Sequence, residues 1–434
     1  DQSDRLLRMS SPAPISRTKF VGFLAAVLLT IAIAIEAVSW LLLTAIDSRT
    51  QGGYNRVVSG YSVFTSRPNF SFLTNKTNAS QEDAVTDEYG FVHDEPIAIT
   101  KPDGTVRIFL NGGSALFGAG QSTVYQPAKA YPKALYSYPD SIAGQLKSYL
   151  RQQRPDLRFE VVNAAIYVKK MHQSLTDYIS MISRFSPDFI INMDGYNDLN
   201  VFVSGTPFAD LGEDLQLYFD LGAPPRFPET LNVYQLLRGA IHRVIGNPFK
   251  TGLGVEIDEV EPAIAIPRSH YLENRARYVS NADRFLNTLD RYMAVLRQDD
   301  VEWLFVLQPM VDREINKALT PSEAQWQRYL KTSKKAHPEH REILRYFFDD
   351  YLTGALRERI EEADYTYIDM GEQSRHLGSD FQLFTDYCHL TLEGNEFVAQ
   401  KMGEFVIRNL SAVTGPSSTP RALLDVNSKI PFQR

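Results

Sequence analysis

Cysteine is nearly missing from this chain: Cys388 is the single one in 434 residues, so no internal disulfide can form. A basic surplus is missing too. Lys and Arg number 45 against 52 Asp and Glu, a net charge of −7. That excludes nucleic acid as the main partner, because a phosphate backbone is held by clustered cations. The stretch GAGQST (118–123) lacks both the third glycine of a dinucleotide loop and the Gly-Lys-Ser/Thr of a nucleotide loop. His337 and His340 lie in the charged segment KKAHPEHRE with no second ligand cluster in view, which argues against a metal site there. There is no internal repeat. What is present is 44% apolar residues against 22% charged, the balance of a chain that folds.

Residues 20–46 form a run of 27 positions with one charge, Glu36. As a helix it would be roughly 40 Å long, enough to cross a bilayer with tilt. It is longer than the apolar part of a signal peptide, so the expectation is an uncleaved anchor. Arg5, Arg8, Arg17 and Lys19 precede it and only Arg49 and Arg56 follow closely, which places the N-terminus in the cytoplasm and the rest outside. Glu36 has two readings: a carboxyl near the outer interface, by Trp40, or a contact to a polar group of another membrane protein.

The expected organisation is a cytoplasmic tail (1–19), the anchor (20–46), a stalk and N-terminal extension (47–105), an α/β domain (106–411) and an irregular tail (412–434). Short β-branched runs predict strands at 106–111, 158–166, 188–195, 301–309 and 365–371. Helical spacing predicts helices at 141–153, 172–185, 281–298, 341–363 and 391–409. In the first of these Ile142, Leu146, Tyr149 and Leu150 share a face; in the third, Phe285, Leu289, Tyr292 and Leu296 do. Alternating strands and amphipathic helices imply a parallel sheet covered on both faces. Residues 201–280 break the rhythm with Pro, Gly and aromatic residues, and are expected to form a cap-like insertion near the site.

Three signals collect at the carboxyl edge of that sheet, where ligands of such folds bind. LNGGSALFGAG (110–120) sets Ser114 directly after the first strand, between Gly113 and Gly118, in a bend that exposes a hydroxyl. Strand three ends in Gly195-Tyr196-Asn197-Asp198, where an Asn amide can donate to an oxyanion. TDYCHLTLEG puts Asp386 three residues before His389, a spacing at which the carboxylate orients the imidazole and frees its other nitrogen to act as base on a serine. Cys388, between them, is expected as a small buried thiol pointing away. Gly113, Gly195, Asp198 and, by position alone, Gln308 are the pocket candidates.

Ser, Asn, Asp and His in this order, in NGGSALFG, GYND and DYCH, resemble the SGNH hydrolases, also called GDSL-type esterases and lipases, over roughly residues 105–410. The resemblance implies a flavodoxin-like three-layer α/β/α fold with a five-stranded parallel sheet. It also implies no metal or cofactor, and ester hydrolysis or acyl transfer. Ser114 would be the nucleophile, His389 the base, Asp386 its orienting carboxylate, and Asn197 an oxyanion-hole donor with the Ser114 N–H. One position departs: where the family offers a glycine N–H, this chain reads Asn163-Ala164-Ala165, so Ala165 would have to supply that donor at the cost of a Cβ. Two functions are expected from this: an anchored extracytoplasmic esterase or O-acyltransferase acting on acyl esters of cell-surface polysaccharide, or a catalytically degenerate copy of the fold serving as a membrane-complex subunit. The second draws on Ala165 and Glu36.

Overall fold

A computed structural model describes residues 17–49, 56–59, 63–66, 68–71, 84–120, 135–198, 233, 267–311, 313, 317–332 and 338–414. The chain divides into two compact units, residues 1–53 with 223–252, and residues 54–222 with 253–434.

The first unit carries α1 (Arg17–Arg49), 33 residues whose middle is apolar apart from Glu36 and whose two ends are charged. Its stretch Phe20–Leu42 is long and apolar enough to cross a membrane. Glu36 accepts a hydrogen bond from the backbone N–H of Val233 at 3.1 Å. The carboxylate thus has a partner within its own chain, whereas the sequence points to the interface or to another protein.

The second unit is built on five parallel strands: β3 (Thr105–Gly112), β4 (Arg158–Asn163), β5 (Phe189–Asp194), β6 (Glu302–Leu307) and β7 (Thr366–Asp369), in the order β4-β3-β5-β6-β7. A short antiparallel hairpin, β1 (Arg56–Ser59) with β2 (Val63–Ser66), precedes them. The order is that of the flavodoxin-like sheet, with its switch point between the first and third sheet strands. Register places Asn111 opposite Asn192, Leu110 opposite Asn163 and Leu307 opposite Asp369, so the carboxyl ends finish side by side.

Strands β3 and β5 are buried along their whole length because helices cover both faces. On one face the helix Ile142–Gln153 and the last helix, Leu392–Thr414, meet Val106, Ile108 and Leu110; Ile142, Leu146 and Leu150 pack there as their spacing predicts. On the other face lie the helix Met171–Ser180 and a 31-residue helix, Arg268–Gln298, whose Phe285, Leu289, Tyr292 and Leu296 are all buried.

Several boundaries differ from those the sequence predicts. The Arg268–Gln298 helix begins inside the expected 201–280 insertion; the rest of that insertion, Val233 and Pro267 apart, lies outside the described residues, as do residues 415–434 of the expected 412–434 tail, whose first three residues close the last helix. Residues 84–104, expected as extension or stalk, belong to the body: Phe91 and Val92 are core residues, and Val92 exchanges backbone hydrogen bonds with Asn163. The expected 172–185 helix stops at Ser180 and tightens into a 3₁₀ turn, Ile182–Phe185. The expected 341–363 helix is two helices, Pro338–Phe347 and Thr353–Glu362, joined by a π turn. A helix at Pro321–Thr332 has no counterpart among the expected elements. The second strand ends at Asn163, which leaves Ala164 and Ala165 in the following turn.

Candidate active site

The chain leaves β3 through Gly113 and enters a single helical turn, Ser114–Phe117, with Ser114 at its start. A Cβ on Gly113 would clash with Asn197 Nδ2, so glycine is what lets the strand end and the Asn197 amide pack this closely. Ser114 keeps partial exposure. Among the described residues its N–H has no acceptor.

Asp386 and His389 sit on a tight loop ahead of the last helix. Thr385 N–H donates to the His389 carbonyl at 2.9 Å. Asp386 Oδ1 accepts the N–H groups of Cys388 and His389, both at 2.8 Å, the turn that an Asp side chain builds with its own backbone. This leaves Oδ2 for His389 Nδ1, at 2.8 Å. The opposite ring nitrogen, Nε2, lies 2.8 Å from Ser114 Oγ. Burial pushes the Asp386 carboxyl up, but the His389 charge and hydrogen bond and the two N–H donors outweigh it and hold the group below the usual carboxylate range.

The loop is pinned from behind by a buried carboxylate. Glu323 Oε1 accepts the N–H groups of Leu383 and Phe384 at 2.8 and 3.0 Å, and Oε2 pairs with Lys317 Nζ at 2.8 Å. Sequence reasoning misses both residues, since a Lys and a Glu six positions apart read as exposed charges.

The remaining expected site residues fall out as follows. Asn197 stands at the site, half-buried, with Nδ2 donating one hydrogen to the Lys169 carbonyl at 2.9 Å. Gly195 takes φ +108, the left-handed region that favours glycine, and turns the chain off β5. Ala165 has a backbone outside the left-handed region, so its Cβ brings no strain, and its N–H donates to Asn163 Oδ1 at 3.1 Å. Asp198 is buried and accepts from Met171 N–H at the start of the Met171–Ser180 helix at 3.3 Å. Gln308 is buried and donates from Nε2 to the Cys388 carbonyl at 3.1 Å, tying the end of β6 to the Asp386–His389 loop. Cys388 is a buried thiol as expected, but it does not point away: Sγ lies 3.6 Å from His389 Nδ1. Asp386, Cys388 and His389 thereby bring one ligand atom each within 4.8 Å of one another. His389 Nδ1 and Asp386 Oδ2 already share their hydrogen bond.

Two features have no sequence signal. Val168 adopts φ +64, a conformation a β-branched residue rarely takes. Asp194, at the end of β5, is fully buried; burial pushes its carboxyl up to about 6, against hydrogen bonds from Asn192 and Ser174 and the charge of Lys169.

Fold and site together define a class of arrangement: a Ser–His–Asp constellation at the carboxyl edge of a flavodoxin-like parallel sheet. No known family pattern and no curated protein matches the sequence. Among solved structures the chain is similar to a catalytic mutant of an acetylxylan esterase from Geobacillus stearothermophilus, at 12% identity over 68% of this chain and 92% of that one, TM-score 0.35. An α/β hydrolase enzyme from the metagenome of Lake Arreo, Spain, matches at 12% identity over 70% and 94%, TM-score 0.33. A proposed GDSL-like lipase from Parabacteroides merdae matches at 12% identity over 69% and 94%, TM-score 0.33. Overlap this slight carries no argument about activity, and the case for the site rests on its own geometry.

Proposed function

We propose that the chain is a membrane-anchored serine esterase or O-acyltransferase. The observation that carries this is the pair of 2.8 Å hydrogen bonds running from Asp386 Oδ2 through the His389 ring to Ser114 Oγ. In this reading Ser114 Oγ attacks the carbonyl carbon of an acyl ester while His389 Nε2 takes its proton. The ester C–O bond then breaks, and the same proton passes to the departing alcohol. Water or a sugar hydroxyl, deprotonated in turn by His389, attacks the acyl-serine; the acyl–Oγ bond breaks, and His389 returns the proton to Ser114 Oγ. Asp386 holds the imidazole in the tautomer with Nε2 open and stabilises the imidazolium. The unclaimed hydrogen of Asn197 and the N–H of Ser114 face the negative charge that grows on the carbonyl oxygen.

The substrate we propose is an O-acylated polysaccharide of the cell surface. One partly exposed ring, Tyr387, lies 6.3 Å from the His389 imidazole, and a second, Tyr196, lies 5.6 Å from Tyr387, centroid to centroid. Such rings suit the apolar face of a sugar. The basic residues ahead of the apolar stretch Phe20–Leu42, Arg5, Arg8, Arg17 and Lys19, support a cytoplasmic N-terminus with the α/β unit outside. The alternative, a retired scaffold, draws on Ala165 and Glu36, and the Val233 partner of Glu36 within this chain favours the catalytic reading.

The test is turnover by the full chain in detergent, on short-chain acyl esters and on acetylated polysaccharide, with and without a sugar acceptor. The expected result is acyl release or transfer that Ser114→Ala abolishes. Turnover unchanged in Ser114→Ala would remove the proposal.

A further inference from the structure

Lys169 is a fully buried lysine outside the Ser–His–Asp set, 1% exposed. Its Nζ lies 2.9 Å from Asn111 Oδ1, 2.7 Å from the Ala164 carbonyl and 2.5 Å from Asp177 Oδ2. These acceptors come from the end of β3, the turn after β4, and the Met171–Ser180 helix. An ammonium has three hydrogens, and here each has an oxygen, one of them charged. Its main chain does a second job: the Lys169 carbonyl accepts the Asn197 amide hydrogen at 2.9 Å. That carbonyl lies 3.8 Å from where a Cβ of Gly113 would stand, so this piece of backbone borders the residue preceding Ser114.

The residue just before it, Val168, is held at φ +64. Its side chain is 50% exposed, so packing offers little to offset that conformation. Strain of this kind persists only where the surroundings over-determine it. On one side the turn is held by Ile166 N–H on the Gly112 carbonyl, 3.0 Å. On the other side it is held by the Lys169 ammonium, and beyond that by Lys170 N–H on Gln173 Oε1 at 2.9 Å.

We propose that Lys169 is a positioning residue for the oxyanion side of the site: its ammonium clamps the 164–170 turn beneath the end of β3, keeps Val168 left-handed, and so fixes the carbonyl that orients Asn197. An amide is planar, so committing one Asn197 hydrogen to that carbonyl sets the direction of the other. The inference rests on the reading of Asn197 as an oxyanion donor. It separates the duties of the turn: Asn163 Oδ1 accepts the Ala165 N–H, and Lys169 does the aiming.

The test is a cycle of Lys169→Met, Val168→Gly and the double variant, in the full chain in detergent. Glycine takes φ +64 without strain, so Val168→Gly should make the clamp partly dispensable. Lys169→Met should lower kcat at least tenfold with KM within twofold, and adding Val168→Gly should restore kcat at least fivefold. Should Lys169→Met fail to fold, the double variant should fold. Lys169→Met with kcat within threefold of wild type, or a double variant no better than the single, overturns the clamp. Should the wild type show no Ser114-dependent turnover, the functional reading falls by itself, and the clamp is read from thermal unfolding. Val168→Gly should then raise Tm less in the Lys169→Met background, where the turn can relax out of the strained conformation, than in the wild-type background, and equal shifts overturn the clamp.

Discussion

Replacing Asp386 by Asn exchanges one atom for another of the same size, and the loop dictates which way the amide faces. Oδ1 is held by two N–H donors, from Cys388 and His389. The Asn carbonyl must take that place, because an NH₂ there would face donors with no acceptor. The amide nitrogen then replaces Oδ2 and directs a hydrogen at His389 Nδ1, 2.8 Å away. The imidazole can accept it only by carrying its own proton on Nε2, the nitrogen that must receive the Ser114 proton. The corresponding change in a serine protease lowers kcat by about 10⁴. At about 1.36 kcal/mol per decade that is about 5 kcal/mol of barrier. The variant keeps volume and hydrogen-bond count, so the fold should survive and KM should move little. The assay is steady-state hydrolysis of an acetyl ester by wild type, Asp386→Asn and Ser114→Ala, with thermal unfolding of each. If Asp386→Asn keeps kcat within tenfold of wild type while Ser114→Ala is inactive, the role argued for this carboxylate is wrong.

Three further outcomes follow from the same geometry. Gly113→Ala places a methyl against Asn197 Nδ2; steady-state kinetics should show a loss of about 10²–10³ in kcat, the effect of one lost oxyanion donor, with circular dichroism unchanged. Glu323→Ala leaves Lys317 and the Leu383 and Phe384 N–H groups buried without their partner, and urea unfolding should show a loss of about 3–5 kcal/mol. For Asp194 the folded carboxyl sits at about 6, above its ordinary 3.8. The protonated form therefore favours the fold; its contribution is complete below about pH 4 and is lost as pH rises from there through about 6. Stability at about pH 4.5 should exceed that at about pH 7.5 by about 2 kcal/mol from this group, at about 1.36 kcal/mol for each pH unit between about 4.5 and 6. Urea unfolding at the two pH values checks this, and Asp194→Asn should remove that part of the slope.

Where sequence and structure agree, the cause is local. Ile108, Phe109 and Leu110 form a strand because β-branched and aromatic side chains suit a sheet buried on both faces, and Phe285, Leu289, Tyr292 and Leu296 share a helix face by spacing alone. The Asp386–His389 loop is legible for the same reason: a carboxylate three residues ahead of an imidazole can close its own turn. What stays hidden depends on partners distant in the chain. Lys169 reads as a surface charge in YVKKMH until Asn111, 58 positions earlier, supplies an acceptor. Glu323 is anchored 60 positions later, at Leu383. The acceptor that meets the Ala165 N–H, Asn163 Oδ1, is visible only once the turn after β4 is built. The polar stretch around Phe91 and Val92 resembles a stalk because two apolar residues inside it carry the packing.

The most direct measurement is covalent: the full chain in detergent is treated with a fluorophosphonate probe and the labelled peptide is identified by mass spectrometry. A serine activated by an imidazole 2.8 Å away should be modified at Ser114 alone, quickly in the wild type and not at all in His389→Ala. An unmodified Ser114 in folded wild-type protein, or equal labelling after His389→Ala, contradicts the account.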